Sequence, residues 1–374
     1  MLLLALAACT DLDAFYADPV PGLDGLAPGD VVRLDRIGHA RHAQVYRLLY
    51  RTVGPDGAPD VASARVAVPD DLAPGALAPV VTHLHGTVGL ADRCAPSRAL
   101  GFGFESALNP LPAALVADGA IVVEPDYLGL GPPGPHPYVA GAPTATSVLD
   151  AVRAAGRLRD PDHDVRTVPA ERVLLEGHSQ GGHAVLATLR DAPAYAPELP
   201  IVAAAALAPP ADPAALLPAL ARSERWAGFV AMALRGWTAA HPELGPARDW
   251  VTDDRLLERM DERCLLSLSS WMDAPVEDVL APDVARALAD GDFAAVGLAD
   301  VVALEDPAPL GTDVLLVVHG SEDDLLPPAL TRALVARTAA SGADAEFVLV
   351  DGADHLLLPG KARDIVLPWL EAAL

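Results

Sequence analysis

Basic residues are scarce in this chain. Lys and Arg total 26 against 51 Asp and Glu over 374 residues, a formal net charge of −25. A surface of that sign repels phosphate backbones and anionic headgroups, which argues against nucleic-acid binding and against electrostatic docking on anionic lipid. Cysteine is also scarce, at three. There is no internal repeat, so a solenoid or propeller is not expected. The apolar run that opens the chain is too short to span a bilayer. What is plentiful is apolar side chain, 52% of residues, enough for a large core. The length fits two average domains or one elaborated domain with an insertion. Apolar runs rich in Val, Ile and Leu alternate with helix-like stretches, the pattern of an α/β fold around a parallel sheet buried on both faces.

The most informative stretch is Gly177-His178-Ser179-Gln180-Gly181-Gly182. It follows the apolar run Arg172 to Glu176 and precedes the helix-like run His183 to Leu189. Strand, tight G-x-S-x-G turn, helix is the order of a nucleophile elbow, which lifts a serine hydroxyl above the end of a sheet. Ser179 is the expected nucleophile of a hydrolase or acyltransferase. The bland alternative is a glycine-rich turn carrying an inert serine.

A serine hydroxyl needs a base, and the base an orienting acid. On such elbows the chain order is Ser, then Asp or Glu, then His. Asp313 to Gly320 reads as a buried strand, followed by Glu322, Asp323 and Asp324. Glu346 to Val350 reads as another strand, followed by Gly352-Ala353-Asp354-His355. Asp323 is the preferred acid. His355 is the expected base, being the only histidine C-terminal to Asp323. Asp354 beside it is assigned to a turn.

An oxyanion hole needs two N–H groups aimed at the developing charge. One is expected from Gln180, the other from Gly86 or Thr87, after the strand-like run Pro79 to His85. His83 and His85 share one strand face by their spacing. With no third ligand nearby, loop packing is a better reading of them than a metal site. No cofactor is called for.

The run Glu124-Pro125-Asp126-Tyr127-Leu128-Gly129-Leu130-Gly131, with His136-Pro137-Tyr138, resembles the bacterial branch of the secretory lipase family. So do Ser147 to Ala155, and His85-Gly86-Thr87 with Cys94-Ala95-Pro96-Ser97. The resemblance covers about residues 30 to 374. It implies an α/β-hydrolase fold: a mostly parallel sheet, an N-terminal antiparallel hairpin, and a helical cap inserted before the strand that precedes the acid. It implies hydrolysis of carboxylic esters, including acylglycerols, with Ser179, Asp323 and His355 in the triad positions. Rival readings are a small-ester esterase or deacetylase, a prolyl-type peptidase, and an inactive scaffold serving as a surface binding lipoprotein.

The first nine residues end in Leu6-Ala7-Ala8-Cys9, which resembles a signal-peptide core with a lipobox. Cys9 is the expected lipidation site and membrane anchor, although no Lys or Arg precedes the run. Residues 10 to 30 read as a tether or N-terminal wrap, and 31 to 374 as the main domain. Gln44 to Val53 and Val61 to Val68, around Gly54-Pro55-Asp56-Gly57, read as a hairpin. Export permits a disulfide, and with Cys9 lipidated, Cys94 and Cys264 are left to pair or to stay as buried thiols. From about 210 to 307 strand signals vanish and helix-like segments such as Ala214 to Arg225 and Asp254 to Leu268 dominate. Four of the five tryptophans fall there, and Trp226, Trp237 and Met232 are candidates for an acyl pocket or for cap packing.

Overall fold

Apolar runs set the centre of the molecule. The computed structural model describes residues 12–17, 22–40, 42–99, 111–223, 225–268, 274–308 and 314–374. Three long strands come first: β1 (Val31–Ala40), β2 (Ala43–Val53) and β3 (Pro59–Pro69). Then follow β4 (Val80–Leu84), β5 (Ile121–Pro125), the short ribbon β6 (Arg159–Asp160) and β7 (Val165–Arg166), β8 (Val173–His178), β9 (Ile201–Leu207), β10 (Leu315–Gly320) and β11 (Ala345–Val350). Nine of them form one sheet in the order β1-β2-β3-β5-β4-β8-β9-β10-β11. β1, β2, β3 and β5 pair antiparallel, and from β5 through β11 every pairing is parallel. The β2–β3 pair spans the expected hairpin. β1 and the β6–β7 ribbon were not foreseen: β1 is half-exposed along almost its whole length and carries no buried apolar run.

Every residue of β4, β5, β8 and β10 is buried, as strands covered on both faces require. One face is covered by helices Gly141–Ala155, Gln180–Tyr195 and Pro328–Ala340, whose Val148, Val152, Val185, Leu186 and Leu334 pack with Val80, Leu175 and Val317. The other face meets helices Leu111–Ala117 and Leu358–Glu371 through Leu111, Leu115, Val366 and Leu370. Each fully buried Val or Leu contributes on the order of 1.5–3 kcal/mol. The described part of the N-terminal segment packs on the domain. Phe15 and Tyr16 sit against Leu49 and Val61, and Arg33 donates to the carbonyls of Phe15 and Ala17.

Between β9 and β10 the described chain is helical, with its own core of Leu217, Met232, Leu234, Met260, Leu280 and Leu288 among others. Its first helix, Pro213–Ala221, starts at Asp212, whose side chain accepts from the N–H of Ala215, with Pro at the first position where no N–H is missed. That helix ends at Ala221, short of the expected Arg225, and the next expected helix runs only over Asp254–Glu262. The cap helix Ala227–Ala240 lies directly on the loop that carries Tyr138. A Cβ on Gly236 would sit 2.4 Å from the backbone of Tyr138, so only glycine lets the two backbones approach this closely. A disulfide, Cys94–Cys264, with Cα atoms 5.5 Å apart, pins the cap to the loop after β4. Beside it, the N–H of Leu265 donates to the carbonyl of Val88 at 2.8 Å. Cys9, Trp271 and Met272 lie outside the described residues.

Candidate active site

Parallel pairing of β4, β8, β9, β10 and β11 brings their C-terminal ends to one edge of the sheet, where open α/β sheets carry their sites. β8 ends at His178, and Ser179 turns into helix Gln180–Tyr195 with φ 57° and ψ −118°. That conformation costs a non-glycine residue about 1–3 kcal/mol, and the surroundings hold it in place. The N–H of Ser179 donates to Leu207 O at 2.9 Å, and the carbonyl of Ser179 accepts from His183 N at 3.0 Å. Gly181 closes the turn: a Cβ there would lie 1.8 Å from the carbonyl oxygen of Leu84. β4 and the elbow are thus in backbone contact, and the half-buried Ser179 hydroxyl is presented at the sheet end.

Three loops converge on that hydroxyl. Nε2 of His355 lies 2.9 Å from Ser179 Oγ, and Nδ1 of His355 lies 2.7 Å from Asp323 Oδ2. Nδ1–H donates to the carboxylate, so Nε2 is left as the acceptor for the serine proton. Oδ1 of Asp323 accepts from the N–H groups of Leu325 at 3.1 Å and Leu326 at 2.8 Å. Burial alone pushes the Asp323 carboxyl upward. Hydrogen bonds from His319 and His355, the charge of His355 and the Leu326 N–H outweigh it and hold Asp323 well below the usual carboxylate range. Burial lowers His355 below the ordinary imidazole value, against the hydrogen bond it donates to Asp323, and the charge of His178 adds to the lowering. The neighbouring carboxylates have other surroundings. Glu322 and Asp324 are exposed, and Asp324 pairs with Arg225 at 2.9 Å. Asp354 accepts from the N–H of Leu357 at 2.8 Å.

His319 is the residue that sequence reasoning missed. It is the penultimate residue of β10, fully buried, with Nε2 2.9 Å from Leu326 O and 3.1 Å from Asp323 Oδ2. Its one signal in the sequence was its place four residues before the acid.

Gln180 opens its helix, so its N–H has no partner within the helix and lies beside Ser179. Its side chain donates to Nε2 of His136 at 3.0 Å, and Nδ1 of His136 donates to Leu128 O at 2.7 Å. Burial pushes His136 down to about 4, so the ring is neutral and can accept. Gly86 and Thr87 follow β4, whose Leu84 is in register with Gly177 of the elbow. The Thr87 hydroxyl is hydrogen-bonded to Tyr138 at 2.7 Å. His83 is bonded to Glu176, and His85 donates to Gly86 O at 2.7 Å and accepts from Tyr127 through its carbonyl. Asp126, fully buried, accepts from Ser63 and from the hydroxyl and N–H of Ser97. It thereby ties β3, β5 and the loop of Cys94 together, and burial pushes its carboxyl up to about 6. Among the described residues no group of three or more His, Cys, Asp or Glu could hold a metal ion.

A pocket of about 680 Å3, counted out to its open mouth, runs from Ser179 beneath the cap. Leu216, Leu217, Leu220, Val230, Ala233 and Leu326 give it aliphatic walls, and Trp237 lines it with its N–H bonded to Val139 O at 3.1 Å. Trp226 and Met232 do not line it. Met232 is fully buried in the cap core, and the Trp226 indole donates to Asp324 O at 3.2 Å. Met232 thus packs inside the cap, and half-buried Trp226 ties the cap to the loop of the acid, roles that an apolar or aromatic residue type alone does not distinguish from lining.

Comparison with known proteins places this geometry. A family model described as secretory lipase matches residues 109–374. A probable inactive lipase from Mycobacterium tuberculosis is 27% identical over 96% of this chain and 81% of its own. Candida antarctica lipase A superposes with a TM-score of 0.72 at 22% identity, over 92% of this chain and 81% of that one. The rice cell wall degrading esterase LipA from Xanthomonas oryzae gives 0.70 at 20% identity, over 92% and 99%. These likenesses show an α/β-hydrolase fold of the lipase and esterase kind.

Proposed function

This chain belongs to the secretory lipase family, and from that premise we propose that it is a serine hydrolase of carboxylic esters, acting on acylglycerols or other acyl esters through an acyl-enzyme. The observation that carries the reading is the continuous relay of 2.9 Å from Ser179 Oγ to His355 and 2.7 Å from His355 to Asp323. His355 takes the serine proton as Oγ attacks the ester carbonyl. Asp323 fixes the ring tautomer and stabilises the imidazolium without taking the proton. The N–H groups of Gln180 and of Thr87 or Gly86 receive the tetrahedral oxyanion, commonly the largest catalytic contribution in acyl transfer. His355 then protonates the leaving alcohol. Water attacks the acyl-enzyme by the same route in reverse. The acyl chain lies in the aliphatic pocket beneath the cap. The protein is exported, and held at a membrane through lipidated Cys9.

Hydrolysis of p-nitrophenyl esters by the purified protein, together with covalent labelling of Ser179 by a fluorophosphonate, tests this reading. Labelling and turnover that both vanish in Ser179→Ala support it. Turnover that survives in Ser179→Ala ends it. A second reading has one observation in its favour: the Mycobacterium tuberculosis relative is named as inactive. Under it the chain is a silent scaffold, and wild-type protein takes no label. Acetyl or other short-chain p-nitrophenyl esters hydrolysed in preference to longer ones would favour the small-ester esterase or deacetylase reading instead.

A further inference from the structure

The loop from Asp126 to Ala140 joins β5 to helix Gly141–Ala155 and contributes no member of the triad. Gly129, at φ 72°, lets it double back so closely that a Cβ there would lie 2.4 Å from Pro135 O. The Tyr127 and His136 rings are thereby stacked, with centroids 6.2 Å apart and planes 12° from parallel. Three side chains of this loop reach the two segments that flank Ser179. Tyr127 donates its hydroxyl to the carbonyl of His85 at 2.9 Å, one residue before Gly86. Tyr138 is hydrogen-bonded to the Thr87 hydroxyl at 2.7 Å. His136 takes the other side and accepts from the Gln180 side chain at 3.0 Å. Nδ1–H of His136 is committed to Leu128 O at 2.7 Å, so Nε2 keeps its lone pair for that bond. Oε1 of Gln180 has no partner, which leaves His136 to fix the direction of the Gln180 side chain. The two residues are 3% and 2% exposed, so water does not compete for the bond.

We propose that His136 is a positioning residue for the oxyanion hole: its bond to the Gln180 side chain fixes the direction of the Gln180 N–H beside Ser179, while Tyr127 and Tyr138 of the same loop fix the Gly86 and Thr87 side. The N–H concerned belongs to the peptide between Ser179 and Gln180. Its direction is set by the ψ of Ser179, −118° in a strained backbone conformation that relaxes unless it is held. The carbonyl of that peptide is held by the N–H of His183 at 3.0 Å. Its other end continues into Gln180, whose side chain His136 holds. Donors stabilise a developing charge most when they are fixed in place before it appears. The inference rests on the reading of Ser179 as the nucleophile of an ester hydrolase.

His136→Leu removes the acceptor, and His136→Gln puts an amide oxygen near the place of Nε2. With a p-nitrophenyl ester, His136→Leu should lower kcat by about 10- to 100-fold, the effect of a displaced donor, and leave KM within about threefold of wild type. An alkyl trifluoromethyl ketone, whose adduct with Ser179 carries an oxyanion, should bind more weakly by the same factor. His136→Gln should recover most of both losses. Gln180→Leu should cost as much as His136→Leu, and the double variant no more than either, because all three remove one bond. Lower thermal stability with kcat intact, or additive losses in kcat, overturns the proposal. So does a failure of both His136→Leu and Gln180→Leu to fold, since the bond would then serve the fold and not the hole. Hydrogen exchange over residues 178–186 supplies a readout that needs no turnover, and it should be faster in His136→Leu than in wild type. If the wild type cleaves no ester and takes up no ketone, the hydrolase reading falls and exchange decides. Acceleration confined to the elbow would sustain His136 as the residue that holds Gln180, and unchanged exchange would overturn it.

Discussion

Nε2 of His319 lies 3.1 Å from Oδ2 of Asp323, the same oxygen that accepts from Nδ1 of His355 at 2.7 Å. With both Leu325 and Leu326 N–H groups on the other oxygen, every strong donor in reach of this carboxylate favours its charged form. An anionic, immobile Asp323 in turn holds the His355 ring with its acceptor nitrogen towards Ser179.

The first prediction concerns which of three adjacent carboxylates is the acid. Asp323→Asn should lower kcat by roughly 10^3- to 10^4-fold, because an amide stabilises the wrong imidazole tautomer. Asp324→Asn should change little, since it removes only a surface pair with Arg225 worth about 0–1 kcal/mol. Steady-state rates for the two variants decide the point, and a larger loss in Asp324→Asn would reverse the assignment. Ser179→Ala and His355→Ala should each lose as much as the pair together, because the residues act as a unit.

The second concerns pH. His355 must be neutral to accept the serine proton, and its pKa lies below the ordinary imidazole value. Activity is therefore full above that pKa and lost as pH falls through it. The acid limb of kcat/KM should have an apparent pKa below about 6.5, the value of a free imidazole. Asp323 lies lower still and stays ionised across the working range, so it adds no second limb there. A limb centred above about 7 would contradict the burial of His355.

The chain order of Ser179, Asp323 and His355 was legible because each sits just past a short apolar strand, and strand ends are local features of sequence. Asp323 could be preferred to its neighbours only by position. The reason it is the buried one lies in Leu325 and Leu326, whose N–H groups fold back onto it. His319 was not legible as a partner of that acid, because a donor inside a buried strand looks like any other core residue. β1 escaped notice because an edge strand with half-exposed residues carries no apolar run. The pocket walls were hidden for a related reason. Leu216 and Met232 are both cap apolar residues, and only the packing of helix on helix sends one to the channel and the other to the core.

The third prediction follows from the Cys94–Cys264 bridge, which closes a loop of 170 residues between the oxyanion-side loop and the cap. In the chain-entropy account such a loop contributes roughly 5 kcal/mol, less any strain. Cys94→Ser with Cys264→Ser should lower the melting temperature in proportion. The loss should begin in the cap, so hydrogen exchange of residues 227–304 should speed up more than that of β8 and β9. Equal acceleration throughout would mean that the bridge stabilises the chain as a whole and does not hold the cap in particular.

The last prediction uses the pocket itself. Its walls are aliphatic, so each methylene of a substrate chain that enters gains about 0.8 kcal/mol at best. In the wild type, kcat/KM should rise over the first several carbons and then level off where the chain reaches the end of the channel. Ala233 lines that channel from the cap helix Ala227–Ala240 and is small. Ala233→Phe would fill space that the substrate chain occupies. The ratio of long-chain to short-chain kcat/KM should then fall by on the order of 100-fold, the cost of excluding about four methylenes. Met232→Ala is the matched control, because Met232 points into the cap core. It should cost about 2–5 kcal/mol of stability and leave the chain-length ratio where it was. If the two variants shift the ratio alike, the channel is not where acyl chains bind, and selectivity belongs to the cap as a whole. A wild-type profile that peaks at acetate would show that the channel holds something other than a long acyl chain, while the relay through His355 could still serve a short one.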